Sequence, residues 1–531
     1  MNSALRTERI ALAVTPLSPV HVGCGEDFVP TGYVMQDGWL YAFDPAAIPL
    51  TDDDRQDLLA RANRPGADAI LAVQRFFAER ARLCMATARL AIPVAPAVQR
   101  EYEDRVGRTA AVQGGGKTIV NQLSIERTAH HPHTGVPYLP GSSIKGAIRT
   151  AWLNQLNAGA AAGGDGNAKQ LETRLLQGAF HTDPFRFLAV SDAMGEDVLS
   201  EIVFSTNHKK RLVLSKSGEP RAAKGPTTRR EAIVAAQYAA LVTDVTIQQP
   251  QMKHAPGELP VPESRLTGWR SVAGACNAYY LPRLKAELDL LEERCLAAPQ
   301  WIQRVRQLLR QLEAPLAAGD AVLLRIGRHS GFENVTLDGV RQLKTGGKTS
   351  TTLWLAAREE NARSEMLPFG WVLLHRQGQP LPALRQWCDN QPKPDVTVAR
   401  QQLRQLREAL QAQRVAAEQA EAERRTAAQR AQEAAEQEAA RLAALTPQGR
   451  EVEALRKQLL GHTAARKQPV SGQLYQITRA LIQRAEQDSA WSAEDKAALA
   501  QLLTTLVPEK IDLAGKAKEI RQAAQRLGAS T

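Results

Sequence analysis

The stretch Tyr138-Leu-Pro-Gly-Ser-Ser-Ile-Lys-Gly-Ala-Ile-Arg-Thr-Ala-Trp152 decides how the rest of the chain reads. Pro140 and Gly141 end an extended approach, and Ser142 or Ser143 can cap a helix running to about residue 156. A helix start presents free backbone N–H groups and a partial positive charge. Gly141 lets a ligand approach the backbone, the two serines add hydroxyls, and Lys145 and Arg149 fall four residues apart on one face. That arrangement suits a phosphodiester strand. It suits an ordinary capped helix equally well.

Toward the N-terminus, residues 10–14 are apolar and partly β-branched, and residues 33–43 alternate around Asp37-Gly38, a hairpin signature. Residues 52–90 turn helical, with Pro65-Gly66 breaking the run into two helices. Residues 94–136 read as irregular, with a Gly114-Gly115-Gly116 run. Toward the C-terminus, residues 187–190 and 241–247 read as strands. Residues 201–205 and 212–214 read as the arms of a hairpin at the start of a basic cluster. Residues 279–312 are amphipathic and helical, broken near Pro299. Strands at 321–327 and 371–374 close this part, which reads as α/β or α+β.

The chain changes character after Gln391-Pro-Lys-Pro394. Ala, Gln, Glu and Arg supply 40 of residues 399–445, with no Gly or Pro, which predicts one long solvated helix. Leu403, Leu406 and Leu410 begin a heptad seam that fades into alanine. Residues 451–528 regain apolar helical periodicity and predict a small bundle.

Composition sets the limits. The chain has 531 residues, 44% of them apolar, and a formal net charge of +11. That is long enough for several domains with real cores. No stretch approaches the ~18 apolar residues of a membrane span, and the first 13 residues lack the apolar run of a secretory signal. Five cysteines without a CxxC pair point away from a disulfide framework or a cysteine-rich zinc site. A cytoplasmic protein is expected. The densest positive cluster, residues 208–230, holds Lys209, Lys210, Arg211, Lys216, Arg221, Lys224, Arg229 and Arg230 against Glu219 alone. It is either a polyanion contact or a solvated loop.

Other motifs weigh less. Gly116-Lys117-Thr118 and Gly347-Lys348-Thr349 imitate a P-loop, but Ala111 and Gln342 stand where it needs glycine. His130-His131-x-His133 has no helical i, i+4 spacing and no neighbouring acid or cysteine in sequence, so it reads as a loop and no metal is expected. Asp183, beside Pro184, and Asp192, after Ser191, read as capping residues.

Five pieces together carry a resemblance. Residues 140–149, Pro-Gly-Ser-Ser-Ile-Lys-Gly-Ala-Ile-Arg, resemble the signature of the RAMP superfamily of CRISPR effector subunits. Leu17-Ser-Pro-Val-His-Val-Gly-Cys-Gly25 resembles the opening of these proteins, and Asp183-Pro-Phe-Arg-Phe-Leu-Ala-Val-Ser-Asp192 resembles one of their strands. Ile326-Gly-Arg-His-Ser-Gly-Phe332 and Leu367-Pro-Phe-Gly-Trp371 resemble their C-terminal glycine loop and closing piece. The 119 residues between His21 and Pro140, filled by a helical insertion, resemble the layout of the type III-A (Csm) subunit that caps the crRNA 3′ end.

The resemblance implies an α+β fold with two ferredoxin-like (RRM-like) domains and helical insertions. These are residues 1–250, with an insertion at about 52–137, and residues 251–394. A long helix (395–446) and an all-α bundle (447–531) would follow. It implies a non-catalytic protein that binds the 3′ part of the crRNA, contacts the adjacent backbone subunit and other Csm subunits, meets target RNA through the complex, and supports crRNA 3′-end maturation by host nucleases. The RNA-binding residues expected are Gly141, Ser142, Ser143, Lys145 and Arg149, the hairpin residues Lys209, Lys210 and Arg211, and the loop residues Gly327, Arg328, His329 and Gly331. No cofactor or membrane is implied. Two other readings remain: a RAMP endoribonuclease that processes crRNA with His21 or His329 as general base, and a RAMP subunit at another position in a type III effector. Few aromatics, 5% of the chain, argue against an extensive base-stacking platform.

Overall fold

The computed structural model describes residues 5–113, 117–120, 123–160, 168–176, 183–213, 227–250, 266–341, 349–463 and 466–529. The chain forms two compact units, Met1–Leu410 and Gln411–Thr531. Among the described residues no helix is long and apolar enough to cross a membrane.

The first unit opens with strands β1 (Leu5–Pro16), β2 (Gly23–Phe28), β3 (Tyr33–Gln36) and β4 (Trp39–Ala42). β3 and β4 pair through the Asp37-Gly38 turn, where both residues take positive φ, as a two-residue hairpin with primed geometry requires. Three helices follow: α1 (Asp52–Ala62), α2 (Ala67–Glu79) and α3 (Ala81–Thr87). Thr51 caps α1 by accepting from the Asp54 N–H, with Asp52, Asp53 and Asp54 in the first turn, where the helix dipole favours them. The expected break at Pro65-Gly66 separates α1 from α2.

Residues 94–136 are more ordered than their sequence implies. They hold the end of β5 (Leu90–Pro93), α4 (Pro96–Arg105), the paired β6 (Thr109–Gln113) and β7 (Lys117–Val120), and β8 (Ile125–Thr128). Lys117 opens a strand and not a helix, so the P-loop imitation at that point has no P-loop geometry. Residues 114–116 and the loop at 342–348 lie outside the described residues.

Helix α5 (Gly141–Asn157), α6 (Ala168–Leu175), β9 (Leu188–Val190), β10 (Ser200–Lys209), β11 (Thr228–Ile233) and β12 (Leu241–Pro250) come next. The basic hairpin differs from its expected form. β10 pairs with β11, while Leu212 and Val213 are exposed and Leu214 lies outside the described residues. Lys216, Arg221 and Lys224 lie outside the described residues.

The unit continues with α7 (Trp269–Glu293), α8 (Pro299–Gln311), α9 (Glu313–Ala318), β13 (Ala321–Arg325), β14 (Thr352–Ala357), β15 (Leu367–Pro368), β16 (Trp371–Arg376) and α10 (Pro382–Asp389). α7 starts ten residues before the amphipathic stretch read from sequence. Its first turns bury Trp269, Val272, Ala273, Ala275 and Cys276, and the exposed positions between them include Gly274, so the stretch carries little amphipathic contrast.

Two sheets organise the unit, a mixed α and β structure. One is antiparallel, in the order β13-β16-β1-β12-β9, and strands from both sides of residue 250 share it. The other runs β15-β14-β10-β11-β8-β2, with a parallel β11–β8 pair. Ile10, Leu12 and Val14 of the central β1 are buried with Trp269, Tyr279, Tyr280 and Trp371. α5 packs against α7, where the Tyr280 hydroxyl donates to the Ala147 carbonyl (3.1 Å).

Helix α11 (Thr397–Ala444) is the long helix expected from composition. Ala399 and Leu403 are buried, and Leu403 joins a cluster with Val34, Tyr41, Phe76 and Phe77. The leucine seam therefore starts as a packing face of the first unit, which extends to Leu410.

In the second unit, α12 (Pro447–Gly461), β17 (Gln468–Pro469), α13 (Gln473–Gln487), α14 (Ala493–Thr504), α15 (Leu506–Lys510), β18 (Ile511–Asp512) and α16 (Ala517–Gly528) close a bundle. Leu455, Leu459, Leu481, Leu499, Leu503 and Ile520 form its centre. Asp495 ties two helix starts together, accepting from the Thr446 hydroxyl (2.8 Å) and the Ser492 hydroxyl (2.6 Å).

Candidate nucleic-acid interface

The start of α5 is satisfied from inside the molecule. The Gly141 N–H donates to Asp192 Oδ1 (2.7 Å), so a carboxylate from the end of β9 occupies the place expected for a phosphate. Gly141 is buried against the Val190 and Ser191 carbonyls, and glycine is required because a Cβ would run into them. Lys145 Nζ donates to the Leu188 carbonyl (2.7 Å), and partial burial lowers its pKa from the ordinary value. Arg149 pairs with Asp183 (2.7 Å) and Glu172 (3.2 Å) and lies over the Phe185 ring. Asp183 also caps the turn at Pro184 by accepting from the Phe185 N–H (2.8 Å). The expected open amide nest is thus not what the helix start presents. Ser142 is exposed, and Ser143 partly so.

The other motif pieces converge. The Gly370 N–H donates to the Pro19 carbonyl (2.8 Å), the Trp371 N–H to the Ser18 hydroxyl (2.9 Å), and the Ile326 N–H to the Gly370 carbonyl (2.9 Å). The Arg328 N–H donates to the His21 carbonyl (2.8 Å). Residues near 20, 327 and 370 thus form one backbone knot. Gly327 and Gly370 take positive φ, and a Cβ on either would meet a carbonyl oxygen of this knot, His21 or Ile326. Beneath it, Arg325 donates to both oxygens of Glu287 (2.9 Å each), and Trp371 Nε1 donates to Glu287 Oε2 (2.6 Å).

The knot holds Arg328 outward. Its side chain is 57% exposed and lies 3.2 Å from Glu126, which also pairs with the buried Arg230. His329 takes a positive φ and stacks on Trp354, with centroids 4.7 Å apart and planes 24° apart. The pair borders a cleft of about 570 Å³ that also takes in Gly331, Lys210, Arg283, Arg325, Arg341 and Ser350. Lys210 enters from the end of β10 and pairs with Glu333 (2.7 Å), while Arg283 pairs with Asp338 (2.8 Å). Lys209 is half-buried and Arg211 exposed at the same strand end. His329 and Gly331 of the glycine loop and Lys210 of the basic strand therefore line one cleft, while Gly327, Arg328, Lys209 and Arg211 lie outside its lining.

The histidines are recessed. His21 is fully buried, and its Nδ1 donates to the Glu231 carbonyl (2.7 Å). Burial pushes it down to about 4; the Glu231 bond acts the other way, and the Arg230 and Arg328 charges add to the fall. His329 falls further, to about 3, through burial and then the surrounding arginines. Both rings are neutral at pH 7. Burial pushes the carboxyl of Glu231 up, and its oxygens accept from the Ser200 hydroxyl (2.8 Å) and the Thr128 N–H (3.2 Å).

Sequence reading named Arg230 only as part of the basic cluster, and missed Glu126, Glu287 and Trp354. Glu126 lies 104 residues from Arg230, Glu287 38 from Arg325 and Trp354 25 from His329, so no local spacing announces them. Of the basic cluster, Arg229 is also consumed internally, pairing with the buried Glu101.

Residues 13–233 match the family model of the RAMP superfamily. No curated protein matches. Among solved structures, a chain from a Csm–crRNA–target RNA ternary complex of a type III-A CRISPR–Cas system is 17% identical, with a TM-score of 0.41, covering 69% of this chain and 100% of that one. Csm5 of T. onnurineus is also 17% identical, with a TM-score of 0.37, covering 69% of this chain and 99% of that one.

Proposed function

We propose that the chain is a non-catalytic crRNA-binding subunit of a type III-A (Csm) effector that caps the crRNA 3′ end. It would work in the cytoplasm, contact the adjacent backbone subunit and other Csm subunits, meet target RNA through the complex, and support 3′-end trimming by host nucleases. The fold would contain two ferredoxin-like domains. The observation that carries this reading is the convergence of three RAMP-like pieces, far apart in sequence, into a knot that turns Arg328 outward beside the His329–Trp354 stack and the basic end of β10. Cations at such a cleft contact phosphates, and a stacked pair fits the face of an unpaired base.

A non-catalytic role is supported by the state of the histidines. A general base must reach the ribose hydroxyl it deprotonates, and His21 has no exposed surface while its Nδ1 is held by Glu231. Purification from the native host, with sequencing of bound RNA, tests the assignment. Reads sharing a spacer and ending at a common 3′ boundary are expected, and the pure protein should leave repeat RNA intact. Unrelated RNA, or metal-independent cleavage abolished by His21→Ala, would overturn it.

A further inference from the structure

The sequence places no acid or cysteine beside His130, but the fold supplies both. β2 is the edge strand next to β8, and its register slips between Gly23 and Asp27, with Gly25 at positive φ. This bulge brings Cys24 and Glu26 over the end of β8. Cys24 Sγ, a Glu26 carboxylate oxygen and a His130 ring nitrogen all lie within 4.8 Å of one another. His130 Nε2 is 3.6 Å from Glu26 Oε2. Its Nδ1 donates to the Thr128 carbonyl (3.0 Å), which fixes the tautomer and leaves the Nε2 lone pair facing the other two donors.

We propose that Cys24, Glu26 and His130 bind a zinc ion. A thiolate, an imidazole and a carboxylate form a zinc donor set and a poor one for magnesium or calcium. Ligand atoms about 3.5 Å apart fit bonds of about 2.0–2.3 Å in a tetrahedron, so Cys24 needs to move by roughly 1 Å, and it is exposed and free to do so. Arg127 Nη1 lies 3.2 Å from Glu26 Oε2, the same oxygen that faces His130, and over the Phe28 ring; it is a cation that opposes the ion, and zinc binding requires it to shift to Oε1. Three protein ligands leave a fourth position to water. The ion would clip the edge strand β2 to the end of β8. This site stands apart from the RNA-binding reading and does not depend on it.

The test uses the full-length reduced protein, stripped with chelator and titrated with cobalt. A near-ultraviolet thiolate-to-cobalt band with four-coordinate visible bands, both displaced by zinc, is expected. Cys24→Ser should remove the thiolate band, and Glu26→Gln or His130→Ala should weaken zinc binding at least tenfold. His131→Ala with His133→Ala, and Cys295→Ser at the other exposed thiol, should leave the spectrum unchanged. Absence of a thiolate band in the wild type, its persistence in Cys24→Ser, or its loss in the His131/His133 or Cys295 variants would overturn the proposal.

Discussion

The helix start at Gly141 and the loop at Gly327 share their chemistry, since each sets a glycine beside serine and cationic side chains. They end in opposite states. At Gly141 an acid 51 residues away reaches the amide, and Lys145 and Arg149 find a carbonyl and two carboxylates. At Gly327 the glycine packs on the His21 carbonyl, and the next residue, Arg328, is turned outward. Residue type therefore does not decide whether a glycine-rich basic segment binds an outside anion. Exposure separates them: Arg149 is 26% exposed between two carboxylates, whereas Arg328, beside Glu126, keeps 57% of its side chain exposed.

The contrast can be broken at its supports. Glu287→Ala strands Arg325 in the core beneath the loop, since their side chains are 12% and 3% exposed. Losing one partner of such a pair costs about 3–5 kcal/mol, and urea unfolding of the first unit's transition should show it. A loss under 1 kcal/mol would mean that the loop does not rest on this pair.

The glycines give a graded series in the same assay. Gly327→Ala adds left-handed strain of about 1–2 kcal/mol to its clash with the His21 carbonyl, for about 3 kcal/mol in all. Gly141→Ala meets two carbonyls without that strain and should cost about 2 kcal/mol. Gly146, five residues along the same helix, has open space around it, so Gly146→Ala should stabilise by about 0.5–1 kcal/mol. If Gly141→Ala behaved like Gly146→Ala, the helix start would not be wedged against β9.

Much of this was legible in the chain. Asp37-Gly38 marks the hairpin, Pro65-Gly66 the helix break, and the Ala-Glu-Arg-rich run the long helix, because each signal is local. Three of the five motif pieces, at 17–25, 140–149 and 183–192, fall within the residues that match the RAMP family model. What the sequence hid was reach. Nothing near Gly141 shows that Asp192 will cap it, nothing near His130 shows Cys24, and the second arm of the basic hairpin lay beyond residue 226, with the exposed Leu212 and Val213 imitating it. Which of the expected site residues face outward depends on pairing across strands far apart in sequence.

The central claim is that RNA phosphates meet the Arg328 loop and the end of β10, while the helix start is internal. The most direct test is the salt dependence of crRNA binding by the full-length protein and two sets of variants. Lys209→Ala, Arg211→Ala and Arg328→Ala combined should flatten the slope of log K against log salt by roughly two units, at about 0.7 per phosphate contact on a single strand. Lys145→Ala with Arg149→Ala should lower stability and leave that slope unchanged. The reverse pattern, an unchanged slope in the loop variant and a flattened one in the helix variant, would contradict the account.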